Sequence, residues 1–150
     1  MTNFKSIDEI LDFAIKNEED AFAFYTDLAT KVATPGMSKV FESFAMEEKG
    51  HKAKLLEVKK GKHLKPAEKK IMDLKIGDYL VDVEVTNDMK YQDALIVAMK
   101  KEKAAFKLYT DLAAQVEGDF KNTFSALAQE EAKHKLRFEI EYDDNILAEG

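Results

Sequence analysis

The chain has 150 residues, of which 45% are hydrophobic and 35% charged, and its formal net charge is −6. This length suits one domain over residues 1–150, and the negative charge argues against nucleic acid or an anionic membrane as a partner. The sequence has no cysteine, which excludes disulfides, iron–sulfur clusters and Cys-ligated zinc. The absence of cysteine fits a cytoplasmic protein, and no apolar run is long enough for a signal peptide or a membrane span.

Four segments carry apolar residues at alternating steps of four and three, which predicts four amphipathic helices. The first begins at Ser6, which opens a capping box that Glu9 completes. Thr34-Pro35-Gly36 is predicted to end this helix, because proline disfavours helix in the residue before it. The residues from Thr86 to Asp88 can all act as N-caps of the third helix. The predicted helices cover about residues 6–32, 38–60, 86–116 and 120–142.

The second and third helices are joined by residues 61–88, which is long for a connection inside a compact domain. We predict a short helix over residues 67–73, where a proline precedes the first turn, and a β-leaning run over residues 79–85. His63 has no carboxylate at ligand spacing, so we expect it on the surface. The last residues, 143–150, are expected to fray.

The chain contains an internal repeat. Residues 14–29 and 98–113 both end in Tyr-Thr-Asp-Leu-Ala, and residues 41–52 and 124–135 share Glu-Glu-x-x-His. The two offsets are 84 and 83 residues, so the turn inside each hairpin differs by a single residue. We therefore predict an all-α four-helix bundle, built from two duplicated helical hairpins that are joined by a long crossover and related by a pseudo-twofold axis.

Each helix carries polar residues where its apolar face should continue. The first and third helices have a single glutamate there, and the second and fourth have a Glu-x-x-His pair. A buried unpaired charge costs several kcal/mol or more, but two divalent cations would neutralise four carboxylates. Two glutamates with two Glu-x-x-His pairs is the established ligand pattern of ferritin-like di-iron and di-manganese bundles. The candidate ligands are Glu18, Glu48, His51, Glu102, Glu131 and His134.

In the arrangement we expect, Glu48 and Glu131 bridge two cations, while each remaining glutamate and each histidine binds one cation. Two iron ions suit this donor set without thiolate, and manganese or zinc are alternatives. Tyr25 and Tyr109 lie two helical turns after the two non-bridging glutamates. Their hydroxyls could donate to a ligand carboxylate, or they are core tyrosines with some other acceptor.

Two alternatives stay open on the residues alone. Glu47 and Glu130 lie four residues before the histidines and could turn inward in place of their neighbours. The three-residue spacing of the ligand pattern favours Glu48 and Glu131, which leaves the other two at the edge of the bundle. The second alternative is a bundle with buried Glu–His or Glu–Lys pairs and no metal, although six residues in two symmetric sets favour the metal site.

The duplicated Glu…Tyr and Glu-Glu-x-x-His segments resemble the rubrerythrin family of the ferritin-like superfamily over nearly the whole chain. The resemblance implies a four-helix bundle whose six candidate ligands hold a di-iron site that reduces hydrogen peroxide. Two departures matter. Ala105 stands where rubrerythrins usually have a further glutamate, and no cysteine is present to form a rubredoxin domain. Electrons would then come from an external, rubredoxin-like donor protein.

Three functions follow from these patterns. The leading one is a di-iron oxidoreductase that reduces peroxide or O₂. A ferroxidase or iron-handling protein is the alternative, which Ala105 favours, and a metal-stabilised interaction module without turnover is the third. Phe22, Phe24, Phe106 and Leu108 widen the apolar stripes of the first and third helices, which indicates a homodimer or simply a thick core.

Overall fold

The computed structural model describes residues 6–32, 34–61 and 84–145. Four α-helices account for most of these residues: α1 (Ile7–Lys31), α2 (Pro35–Lys59), α3 (Tyr91–Ala114) and α4 (Gly118–Asn145). Helix α1 packs along α2, and α3 packs along α4, so each short turn closes a helical hairpin. The predicted all-α four-helix bundle is confirmed. Within the described ranges, no helix has both the length and the apolarity needed to cross a membrane.

The N-termini of α1 and α2 are both closed by side-chain caps. The Ser6 hydroxyl accepts a hydrogen bond from the Glu9 backbone N–H at 3.2 Å, as predicted. Helix α2 begins at Pro35 rather than near Ser38, because the Thr34 side chain accepts from Met37 N at 3.3 Å and acts as its N-cap. Proline suits the first helical position, where its missing N–H has no acceptor to lose. The segment predicted only to end α1 therefore also starts α2.

The start of α3 differs from the prediction. We expected residues 86–88 to cap it, but the helix begins at Tyr91, and its N-cap Lys90 makes no side-chain capping bond. Residues 87–88 instead form a turn, with Asp88 at a φ of +56°, and the Met89 N–H then donates to Lys31 O at 2.9 Å, beside the C-terminus of α1. This contact ties the end of the crossover to the first hairpin.

Helix α4 is longer than predicted at both ends. It begins at Gly118, whose φ of +62° glycine adopts without steric cost, and it extends to Asn145. Residues 143–145 are therefore helical rather than frayed. Four predictions fall at least partly outside the described residues. They are the helix at 67–73, the surface position of His63, the fraying of residues 146–150, and the run at 79–85, of which residues 84–85 are described and form no strand.

The core consists of two apolar clusters with a polar layer between them. The cluster on one side contains Tyr25 and Leu28, and the cluster on the other contains their repeat equivalents Tyr109 and Leu112. The buried faces predicted for all four helices are confirmed, with only their outermost residues half-exposed. Each fully buried aromatic or leucine side chain contributes roughly 1.5–3 kcal/mol, which offsets the cost of burying the polar layer. Other cluster members are Leu11, Phe41, Phe44, Leu55, Leu95, Phe124, Leu127 and Phe138.

Candidate metal centre

The polar layer consists of the six candidate ligands. Glu18 lies on α1 and Glu102 on α3, while α2 and α4 each supply one Glu-x-x-His pair. All six side chains are at most 4% exposed. The three-residue spacing within each pair puts both side chains on one helix face, one turn apart, and the apolar residues above and below hold that face inward.

The six residues form two overlapping groups. In each group the possible ligand atoms lie within 4.8 Å of one another. Glu48 and Glu131 belong to both groups, so they occupy the positions from which a carboxylate could bridge two cations. The other members are Glu18 and His51 in one group, and Glu102 and His134 in the other.

The two imidazoles face the centre with the same ring nitrogen. His51 Nδ1 lies 2.8 Å from Glu131 Oε1 and 3.6 Å from Glu18 Oε2. His134 Nδ1 lies 3.1 Å from Glu48 Oε1 and 3.6 Å from Glu102 Oε1. The rings are nearly parallel, at an interplanar angle of 3° with centroids 5.5 Å apart. This pairing reproduces the pseudo-twofold relation of the two hairpins.

Each ligand candidate has one buried atom that makes no hydrogen bond of normal geometry in the described part of the chain, although both histidine Nδ1 atoms lie close to a carboxylate oxygen. An unsatisfied buried polar atom costs about 1–3 kcal/mol, so native proteins rarely retain several together. Carboxylate oxygens and imidazole nitrogens without thiolate suit iron or manganese and accept zinc. The residues therefore fit a metal pair in composition and placement. The atoms are Glu18 Oε2, Glu48 Oε1, His51 Nδ1, Glu102 Oε2, Glu131 Oε1 and His134 Nδ1.

Two tyrosines hold the non-bridging glutamates from across the bundle. Tyr25 Oη donates to Glu102 Oε1 at 2.5 Å, and Tyr109 Oη donates to Glu18 Oε1. Burial raises the pKa of both hydroxyls well above the ordinary value, and the glutamate charges raise it further. Both tyrosines therefore stay protonated and donate. Each carboxylate has one oxygen fixed by a tyrosine and the other free to face the centre.

Burial and crowding of the carboxylates shift the proton affinities of Glu48 and Glu131. Burial raises the pKa of Glu48 to about 10, and burial together with the charge of Glu102 raises that of Glu131 well above the ordinary value. Burial alone would lower the pKa of His134, but hydrogen bonds to Glu102 and to two further carboxylates raise it to about 12. Without cations the cluster therefore holds protons at neutral pH. Cation binding would displace those protons.

A comparison with protein families gives a decisive match. The family model described as Rubrerythrin matches residues 9–142. The chain belongs to the rubrerythrin family. With this match, the predicted ferritin-like identity of the bundle is confirmed. Searches of curated proteins and of solved structures gave no match.

A further carboxylate, that of Glu47, lies at the site of this rubrerythrin-family bundle. The sequence reasoning missed its role. Glu47 was expected at the bundle edge, and its side chain is 37% exposed. Its Oε2 nevertheless pairs with His134 Nε2, and it accepts from Arg137 Nη1 at 3.0 Å. The hydrogen bond to His134 lowers the pKa of Glu47 to about 2. Its repeat equivalent Glu130 lies near both histidines but forms an ion pair with neither.

A cavity of about 190 Å³ lies between α1 and α3 and reaches the rubrerythrin-type cluster at Glu102 and Glu131. The small side chains of Ala21 and Ala105 keep it open. Ala105 stands where rubrerythrins usually have a further glutamate. The absence of that glutamate side chain leaves space beside the cluster. The remaining lining residues are Phe13, Asn17, Lys101, Ala104 and Leu108.

Proposed function

We propose that this rubrerythrin-family protein binds two iron ions at the six-residue cluster and reduces hydrogen peroxide, or O₂, with electrons from an external donor protein. The observation that carries the proposal is the pair of overlapping ligand groups that share Glu48 and Glu131. A bound iron pair supplies two adjacent one-electron centres, which suits the two-electron reduction of an O–O bond.

The residues around the cluster have distinct tasks in this proposal. Tyr25 and Tyr109 fix one oxygen of each non-bridging carboxylate, which limits its rotation when the oxidation state changes. The cavity beside Ala105 gives a small oxidant a route to the buried cluster. Since one water occupies about 30 Å³ of liquid, the cavity volume of about 190 Å³ accommodates hydrogen peroxide together with waters that can supply protons.

A ferroxidase or iron-handling role is the second candidate, and Ala105 favours it. The position is 9% exposed and lies at the cavity, where it offers no additional carboxylate. The glutamate and histidine ligands of the two positions then match one for one. In this alternative Fe²⁺ is the substrate, and it passes through the site after oxidation.

Anaerobic loading with two equivalents of Fe²⁺, followed by rapid mixing with hydrogen peroxide, tests the proposal. We expect complete oxidation by one peroxide per iron pair, with both ions retained on the protein after desalting. Release or mineralisation of iron after oxidation would instead support the ferroxidase. Slow and incomplete oxidation by both peroxide and O₂ would refute both functions and leave the interaction module. The Glu131→Ala variant, which we expect to bind no iron pair, is the control for oxidation outside the cluster.

We also propose that the protein forms a homodimer through the outer faces of α1 and α3. Three of the four residues that suggested this are half-buried: Phe22 and Phe24 pack against one core cluster, and Leu108 against the other. Phe106 is 36% exposed and supports an interface most directly. The chain mass is 17.0 kDa, so a dimer should elute near twice this mass in gel filtration. Elution of the monomer alone would refute the dimer.

A further inference from the structure

The pseudo-twofold symmetry of the site is broken around His134. Glu47 pairs with the outer nitrogen Nε2 of this histidine. Arg137 Nη1 donates to both oxygens of Glu47, at 3.0 and 3.3 Å. The Arg137 guanidinium lies 4.5 Å from the ring centroid of Phe44, which in turn packs edge-on against His134 at 5.0 Å. These four side chains form a closed group, which we term the His134 support.

The other half of the repeat lacks the residues needed for the same group. With the offset of 83 residues, Phe44 corresponds to Leu127, and Arg137 corresponds to Lys54. Leucine has no ring on which a cation can stack, and lysine lacks the planar guanidinium that stacks on Phe44 in the His134 support. Glu130 is present at the position of Glu47, but its ion pair is with Lys133 at 3.9 Å.

Within the described ranges, no carboxylate forms an ion pair with the outer nitrogen of His51. All ion pairs of His51 within the described ranges use Nδ1, the atom that faces the centre. A carboxylate on the outer nitrogen of a metal-binding histidine fixes its tautomer, orients the ring and increases its basicity as a ligand. Among the residues that the structure describes, His134 has this support and His51 does not, although both rings are buried to a similar degree.

We propose that the two metal positions are unequal. The position bounded by Glu102 and His134 binds the first cation, and the position bounded by Glu18 and His51 binds the second. Glu47 is the positioning residue responsible, and Arg137 holds it in place. This inference rests on the metal site of the proposed function but not on the reaction assigned to that site.

The inference is tested by titrating the metal-free protein with Co²⁺ alone. The visible absorption of the bound ion measures each binding step. We expect two resolved binding steps in the unmodified protein. Glu47→Gln should weaken the tighter step 10- to 100-fold, the usual effect of losing an outer carboxylate. Glu130→Gln should leave both steps unchanged. It is a matched control, because both glutamates are 37% exposed and occupy equivalent repeat positions.

Arg137→Lys provides a second variant that keeps the positive charge. It should weaken the tighter step by less than Glu47→Gln does, because the carboxylate on His134 and a positive charge beside it both remain, and only the guanidinium that stacks on Phe44 is lost. Circular dichroism of each metal-free variant checks that the helices are retained. Two Co²⁺ ions of equal affinity, equal effects of the two glutamine variants, or loss confined to the weaker step would each overturn the inference while leaving the proposed function standing. Failure of the unmodified protein to bind Co²⁺ or Fe²⁺ would remove both.

Discussion

The metal-free protein should become more stable when one of its own ligand candidates is neutralised. Glu48 is 1% exposed and has three other buried carboxylates around it, and burial raises its pKa to about 10. At pH 7 the folded protein therefore holds a proton on this carboxyl group that the unfolded chain releases. Glu48→Gln replaces the protonated carboxyl with a neutral amide of nearly the same shape. The folded state then no longer requires this proton uptake.

The size of the effect follows from the two proton affinities. Protonating a carboxyl of ordinary pKa 4.5 at pH 7 costs about 3 kcal/mol, at about 1.4 kcal/mol per pH unit. Because the native state binds the extra proton, the free energy of unfolding falls as the pH rises from 4.5 towards about 10. For a chain of this length, about 3 kcal/mol corresponds to a rise in melting temperature of roughly 6–12 °C. At pH 5 the gain should shrink to less than about 1 kcal/mol.

Chemical and thermal unfolding of both proteins after removal of metal by a chelator, at pH 5 and pH 7, measures this gain. Glu130→Gln serves as the control, because its carboxyl group is 37% exposed and pairs with Lys133 rather than with the buried carboxylates. Addition of Fe²⁺ without oxygen should stabilise the unmodified protein and leave Glu48→Gln unchanged, which reverses their order of stability. The reasoning fails if Glu48→Gln is no more stable than the unmodified protein at pH 7 without metal, or if the difference does not depend on pH.

Two further predictions concern the tyrosines and the cavity. Tyr25→Phe should retain two metal equivalents but lose about 1–3 kcal/mol of stability, since Glu102 Oε1 loses its donor. Metal analysis measures the bound equivalents and denaturant unfolding measures the stability. Loss of metal from the variant would contradict the prediction. Ala105→Leu should fill the cavity and slow oxidation of the iron-loaded protein by peroxide at least tenfold, about 1.4 kcal/mol of barrier. Ala23→Leu on the exposed face of α1 is its control, and equal stopped-flow rates for the two variants would rule out this route.

The polar layer was predictable because the repeat marks each member twice. A single inward glutamate could reflect an error in helical phase, but Glu18 and Glu102 interrupt the same apolar pattern at equivalent positions. The histidine pairs do the same on the other two helices. The helix faces depend on local spacing alone, so burial could be read directly from the sequence.

Contacts between helices could not be predicted in the same way. The sequence shows that Tyr25 lies two turns from Glu18, but the hydroxyl donates to Glu102 on another helix. Glu47 was placed at the edge correctly by its phase, although its pairing with His134 depends on how α2 and α4 pack. The sequence signal for this contact was a departure from the repeat, because Arg137 stands at the position equivalent to Lys54.

Two other differences have local causes. The start of α2 was placed three residues late because Pro35-Gly36 was interpreted as a helix end, whereas proline is also favoured in the first helical turn. The buried pair Lys135 and Glu139 on α4, with Nζ and Oε1 3.8 Å apart, was not predicted. Oppositely charged residues four apart on a helix usually lie on a solvated face, so the spacing of Lys135 and Glu139 did not indicate burial.

The claim that six buried side chains hold two cations is tested most directly by anomalous diffraction from crystals grown with Fe²⁺ in the absence of oxygen. Two peaks should lie about 3.5–4 Å apart between Glu48 and Glu131, the spacing of paired metal sites, with one histidine Nδ1 beside each. A single peak, or peaks only at surface carboxylates, would contradict the claim.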